Sequence, residues 1–170
     1  MGSQLRERDW TVFLRRVGPL TVGTSLDEVR RIIGDPAAHL IQALKQEPRS
    51  LPREPDDAPC AYLVTERIPA HIGLMFQHGR LARVDVRDPG IRTAAGAQVG
   101  DTEARILDLY GPRIQVRQHH YPPVGAHYMI YTPIDPVDSE YQMLFETDGI
   151  KVTNFRVGTR AAVAQVEGCA

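Results

Sequence analysis

The sequence lacks any stretch approaching the roughly 20 consecutive apolar residues of a membrane-spanning helix, and it has no charge of one sign to spare. Twenty Lys and Arg stand against 21 Asp and Glu, a net charge of −1. No global field therefore draws the chain to nucleic acid or to an acidic membrane surface. The local pairs Arg15–Arg16 and Arg30–Arg31 read as solvated faces. There are two cysteines, Cys60 and Cys169, in no metal-binding spacing. On their own they leave two readings open: one disulfide closing a loop of about 110 residues, or two unrelated buried thiols.

Catalytic motifs are missing as well. Ser25, Ser50 and Ser139 have no Gly-x-Ser-x-Gly context. The run Gly96-Ala97-Gln98-Val99-Gly100 lacks the lysine and the preceding buried strand of a phosphate cradle. The aspartates Asp85, Asp88, Asp101, Asp135, Asp138 and Asp148 sit mostly where a turn or helix cap uses a carboxylate to bond backbone amides. The chain reads as a non-enzyme that needs no cofactor. At its start, Met1-Gly2-Ser3 runs straight into the charged stretch Gln4–Asp9 without an apolar segment. These three residues look like a cloning remnant, so the expectation is that a targeting segment preceded Gln4 in the precursor.

What the chain does have is a phrase written twice. Val22–Gly34 reads VGTSLDEVRRIIG and Val99–Gly111 reads VGDTEARILDLYG, without a gap. Both describe a short capped helix. Ser25 is followed three residues later by Glu28, and Asp101 or Thr102 caps the second copy. Leu26, Val29, Ile32 and Ile33 fall on one face, as do Ile106, Leu109 and Tyr110. Gly34 and Gly111 suit the residue that ends a helix, each with proline close behind. An amphipathic helix this short must lay its stripe on something, and strands follow each copy.

A first strand is expected over Asp9–Leu14 and a second helix over Ala37–Gln46, then an exposed proline-rich loop from Glu47 to Pro59. Cys60–Glu66 alternates as a strand, and Ile72–Gln77 and Leu81–Val86 flank His78-Gly79-Arg80 as a hairpin. In the second half Ile114–Tyr121 and His127–Thr132 are strands. A second loop, Pro133–Glu140, leads to a hairpin of Tyr141–Glu146 and Lys151–Val157 turned at Thr147-Asp148-Gly149. GLMFQHGRLARVDV and QMLFETDGIKVTNFRV thus look like copies too. The fold class that follows is α+β: two tandem helix-plus-antiparallel-sheet repeats, helices on one face of the sheets, with a lead-in at 1–16, repeat 1 at 17–89 and repeat 2 at 90–170. The other sheet face is expected to stand open.

The order Val-Gly-x-Ser/Thr, helix, Gly-x-Pro, strand and hairpin resembles the BamE/SmpA-like and β-lactamase inhibitor protein-like superfamily of bacterial envelope and secreted proteins. The likeness covers about residues 17–157. In the inhibitors two such units are fused in tandem and their sheets form a concave docking surface. The resemblance implies a periplasmic or secreted protein that works by binding another envelope or secreted protein, inhibitor- or immunity-like. The alternative is an envelope assembly or maintenance factor of the BamE kind, with a lipid anchor on the precursor. The closing phrase Val166-Glu167-Gly168-Cys169 resembles the tails of uncharacterised envelope proteins of this type, which favours a bridge from Cys169 to Cys60.

Candidate contact residues are the tyrosines in strands or at their ends, interleaved with arginine and histidine: Tyr62, Arg83, Arg117, His119, Tyr121, His127, Tyr128, Tyr131 and Tyr141. Tyrosine and arginine combine contact area with a polar tip and are favoured at interface centres. A further alternative uses His119, His120 and His127 with Asp135 or Asp138 as a metal site or catalytic cluster. Adjacent strand residues point to opposite faces, so only one of His119 and His120 can join His127.

Overall fold

The structure is a computed structural model and describes residues 10–42, 51–121 and 123–169. Its frame is an antiparallel sheet of eight strands, which in chain order are β3 (His39–Ile41), β4 (Ala61–Val64), β5 (Ile72–Gln77), β6 (Arg80–Val86), β7 (Ile114–Gln118), β8 (His127–Tyr131), β9 (Tyr141–Thr147) and β10 (Val152–Thr159). In space the order is β3-β4-β5-β6-β10-β9-β8-β7. The first hairpin turns through His78 and Gly79, with φ of 49° and 77°. Two consecutive positive φ values match the right-handed twist of the strands they join. The last hairpin turns on Asp148, whose carboxylate accepts from the Ile150 and Lys151 amides, both at 2.8 Å. The strands β6 and β10 meet at the centre, from Phe155 opposite Val86 to Gly158 opposite Arg83. Both halves of the chain therefore share one continuous sheet.

Two helices, α1 (Leu26–Ile33) and α2 (Glu103–Tyr110), cover one face together with a small ribbon of β1 (Arg16–Val17) and β2 (Leu20–Thr21). The caps are those the sequence suggests. The Ser25 hydroxyl accepts from the Glu28 amide at 3.3 Å, and Gly34 ends α1 with φ 69°. Thr102, rather than Asp101, caps α2, accepting from the Arg105 amide at 3.1 Å. Leu26, Val29, Ile33 and Ile106 pack beneath with Trp10, Leu74, Phe76, Phe145 and Phe155. Ile32 departs from the expected stripe and faces solvent, because a two-turn helix presents only one narrow line of contact.

Three further expectations are corrected. Residues 39–41 of the expected Ala37–Gln46 helix form β3, paired with β4 from His39↔Val64 to Ile41↔Tyr62; residues 43–46 lie outside the described residues. Leu40 and Ile41 are both buried, and adjacent buried side chains fit a strand covered on both faces better than one helical stripe. The strand expected over Asp9–Leu14 reduces to single bridges from Val12 to Val17 and Thr93, with Asp9 outside the described residues. Of the Glu47–Pro59 loop, residues 51–59 are described, and they touch β3 through the Glu54 amide and Leu40 carbonyl at 2.8 Å. The third correction concerns the sheet's other face. A one-turn helix, α3 (Arg160–Val163), and the residues after it lie across that face, so helices occupy both sides. No helix among the described residues is long and apolar enough to cross a membrane.

The central junction depends on a missing side chain. A Cβ built on Gly158 would collide with the Ala82 carbonyl oxygen and stand 2.7 Å from Arg83 Cα, both backbone atoms of β6. Gly34 has a positive φ but open space around it. Gly158→Ala is expected to lower stability by about 3 kcal/mol, and Gly34→Ala by about 1 kcal/mol. Urea unfolding midpoints of the two variants check the order; equal losses would mean that β10 does not pass this close to β6.

Candidate functional site

Alternation along the strands decides what the second face offers. Tyr62, Met75, Ala82, Tyr128, Ile130 and Leu144 point to it and are buried. Bare to water, this apolar area would destabilise the sheet. Ala162, Val163 and Cys169 of the C-terminal segment cover it, with Val166 at the margin. Cys169 is bonded to Cys60 beside β4, with Cα atoms 5.4 Å apart. Gln42 adds a hydrogen bond to the Cys169 carbonyl at 2.9 Å.

Two buried arginines hold the segment from below. Arg83 Nη1 donates to the carbonyls of Ala162 at 2.8 Å and Gln165 at 2.7 Å, and its Nε donates to Asp85 at 3.1 Å. Arg156 Nε donates to the Val163 carbonyl at 2.7 Å, and its Nη1 to Glu146 Oε1 at 2.6 Å. The carbonyls at a helix end have no partner within the helix, and a cationic donor satisfies them strongly. Arg156 Nη2 is buried and meets no acceptor among the described residues.

Beside the segment the face opens into a groove of about 1100 Å³. Arg83 and Asp85 of β6, Arg87 just after it, Asn154 and Arg156 of β10 and Glu146 of β9 line it. Tyr62, Tyr121, Glu167 and Gly168 line it from the side of the covering segment. His119 stacks on Tyr128 at 4.3 Å between ring centres, with Nε2 3.5 Å from Glu146. Burial by itself would raise the pKa of Glu146, but the hydrogen bond and charge of Arg156, with Asn154 and His119, outweigh it and hold the carboxyl below its ordinary value. Burial, reinforced by the nearby Asp85 charge, pushes the Tyr62 hydroxyl up. The Tyr121 hydroxyl donates to exposed Glu167 and closes the far rim.

The candidate contact residues divide between the two faces. Tyr62, Arg83, His119 and Tyr121 come together along the groove. Tyr62, Arg83 and Tyr128 are 8%, 4% and 5% exposed, so they meet the chain's own tail and do not stand on an open face. Arg117 projects from the exposed edge strand β7 and reaches Gln115 at 3.1 Å. His127, Tyr131 and Tyr141 lie on the helix-bearing side. His127 Nδ1 is 2.8 Å from Glu103 of α2, Tyr131 packs on Tyr110 at 5.2 Å, and the Arg15 guanidinium lies 4.8 Å over Tyr141. The alternative metal cluster does not assemble. His119 faces Glu146, His127 faces Glu103, Asp135 accepts from the Val137 amide and Asp138 pairs with Arg15. Among the described residues no three His, Cys, Asp or Glu side chains converge.

Asp85, Arg87, Glu146, Asn154 and Arg156 are not among the contact candidates the sequence offers, and Asp85, expected at a turn or cap, instead lies in mid-strand and accepts from Arg83. The signal for those within strands was a charged or amide residue at the alternating position inside an otherwise apolar strand, as in QMLFET and TNFRV.

Comparison with known proteins returns little. No family model and no curated relative matches the sequence. Among solved structures, the uncharacterized protein yfeY from Escherichia coli is similar over 88% of this chain and 99% of its own, with 15% identity and a TM-score of 0.48.

Two outcomes follow from the covering segment. Replacing both cysteines by serine is expected to cost about 4 kcal/mol, because the bridge closes a loop of roughly 100 residues. Amides of 160–169 should lose hydrogen-exchange protection before Trp10, in the opposite layer, changes its fluorescence; simultaneous loss would mean that the segment is not separately held. Glu146→Gln leaves Arg156 buried without its carboxylate and should cost about 3 kcal/mol at neutral pH. Because the folded-state pKa lies below the ordinary 4.5, this contribution is complete above that value and is lost as the pH falls through the lower one. The stability gap between wild type and variant should therefore close on acidification, and a gap constant with pH would remove the ion pair from the account.

Proposed function

We propose that this chain is a non-enzymatic, extracytoplasmic protein-binding module whose partner docks along the groove beside the C-terminal segment. The observation that carries the reading is the groove itself. It is about 1100 Å³ in volume and open along one side, with tyrosines on its walls and hydrogen-bonding groups on its floor. Such a mixture of aromatic area and polar tips suits a protein surface.

A disulfide between Cys60 and Cys169 is compatible with an oxidising compartment such as the periplasm or the outside of the cell. The reading of the chain as two fused units rests on its symmetry. Each of α1 and α2 precedes a quartet of strands, and the order β3-β4-β5-β6 meets its mirror β10-β9-β8-β7 at the centre of the sheet. In this reading the tail is an addition to the second unit that closes the common face and leaves the groove at its side.

Affinity capture from the native host's envelope extract, followed by titration of the purified partner, tests the proposal. Saturable binding is expected, weakened about tenfold or more by Arg87→Glu in the groove and unchanged by Arg105→Glu on the exposed side of α2. Turnover of a small molecule by the purified chain, with no protein bound at the groove, would overturn it.

A further inference from the structure

The floor of the groove is not electrically balanced. Arg83 is paired with Asp85 and Arg156 with Glu146. Arg87 lines the same groove, is exposed, and has no acidic partner among the described residues. It lies one residue beyond the pair Phe155↔Val86, next to Asn154 on β10. Its backbone amide donates to the His71 carbonyl at 2.9 Å, and His71 also lines the groove. Glu167, the other acid of the groove, is exposed on the segment's rim and engaged by Tyr121, where solvent screens it.

Deeper on the floor, Arg156 is 2% exposed, and its Nη2 has no hydrogen-bond partner among the described residues. A buried cationic N–H left unmade is costly. It is closed to bulk water, so an acceptor gains it only when the side chains above it shift slightly. Asn154 Nδ2 is spent on Glu146 at 3.1 Å, and the guanidinium of Arg87 has no such engagement among the described residues. This end of the groove therefore holds donors in excess, one accessible and one buried, on a face whose other charges are already paired.

We propose that the Arg87 end of the groove receives a carboxylate of the partner protein, an acidic side chain or a free chain terminus, with Arg87 as the outer donor and Arg156 Nη2 as the inner one. The inference rests on the protein-binding reading and specifies the group that is recognised. A carboxylate has two acceptor oxygens, one for each of these donors, and hydrogen bonds between ionised partners are the strong ones. It also brings the single negative charge that offsets Arg87.

Titrating the full chain with small probes, read by NMR at the Arg87 and Arg156 Nε–H and Asn154 side-chain resonances, tests this. Sodium acetate, tetra-alanine with a free carboxyl terminus and an acetylated, amidated Ala-Asp-Ala peptide are expected to give saturable shifts with dissociation constants on the order of 10 mM or tighter. Amidated tetra-alanine should give none. Arg87→Gln should weaken the carboxylate probes about tenfold while leaving the unfolding midpoint in place. The free terminus binding better than the internal aspartate would identify a chain end as the group, and the reverse an acidic side chain. Equal shifts from the amidated peptide, no saturation by any carboxylate, or binding of inorganic phosphate alone would overturn the inference. Retained capture of a protein partner by Arg87→Gln, together with silent carboxylate titrations, would sink this inference and leave the protein-binding reading intact. Loss of capture by the wild type itself would sink the reading.

Discussion

Two arginines buried in the middle of the sheet hold down the end of the chain, and the second face exists in its present form because they do. Arg83 and Arg156 stand on the adjacent central strands β6 and β10, and between them they bond the carbonyls of Ala162, Val163 and Gln165. A ten-residue segment is too short to fold by its own propensity. Its apolar contribution is a few small side chains, chiefly Ala162 and Val163. Charged hydrogen bonds from below and one covalent bond at the far end supply what burial alone cannot. Desolvating two guanidinium groups is expensive, and Asp85 and Glu146 offset that cost from within the same sheet. The carboxylates are therefore part of the clamp, and the low pKa of Glu146 is its electrical signature.

The position of the clamp follows from how the two halves of the chain join. β6 and β10 are the inner strands, so any residue they direct to the second face lies near its centre. Gly158 permits the close approach of β10 to the Ala82 carbonyl, and this brings Arg83 within reach of the helix that starts two residues later. On the opposite face the same strands contribute Val84, Val86, Phe155 and Val157 to the main core. One pair of strands thus serves a dry apolar layer on one side and a polar clamp on the other. A shift of register by a single residue would exchange the two sets of side chains.

Much of the helix-bearing side could be read from the sequence, because its signals are local. Ser25 and Thr102 cap through atoms three residues away, and the His78–Gly79 turn depends only on its own φ values. The α+β class and the antiparallel sheet follow from these and from strand alternation. The errors lie where the decisive partner is distant. Residues 39–41 became β3 because β4 pairs with them across an intervening loop, which no helical periodicity around Leu40 could reveal. Residues 158–169 carried no clear period, and α3 is a single turn fixed by contacts 79 and 82 positions away through Arg83. The tyrosines divide between the groove, the covered face and the helix-bearing side for a related reason. Alternation places Tyr62 and Tyr128 on the second face, but their exposure was decided by a tail whose course the strands do not encode.

The division of the second face into covered and open parts was nevertheless written into the strands. Beneath the tail they present Met75, Ala82, Ile130 and Leu144; beside it they present Asp85, Arg87, Asn154 and Glu146. An open apolar strip would invite indiscriminate association, whereas a charged floor makes any occupant match its donors and acceptors. The tail also forms a wall of the groove, since Glu167 and Gly168 directly precede the bridged Cys169. A Cβ on Gly168 would strike the Tyr62 hydroxyl, so this wall can lie close to the sheet only where the side chain is absent. The bond that stabilises the fold therefore fixes the shape of the groove as well, and the groove has its full wall only where the two thiols are joined.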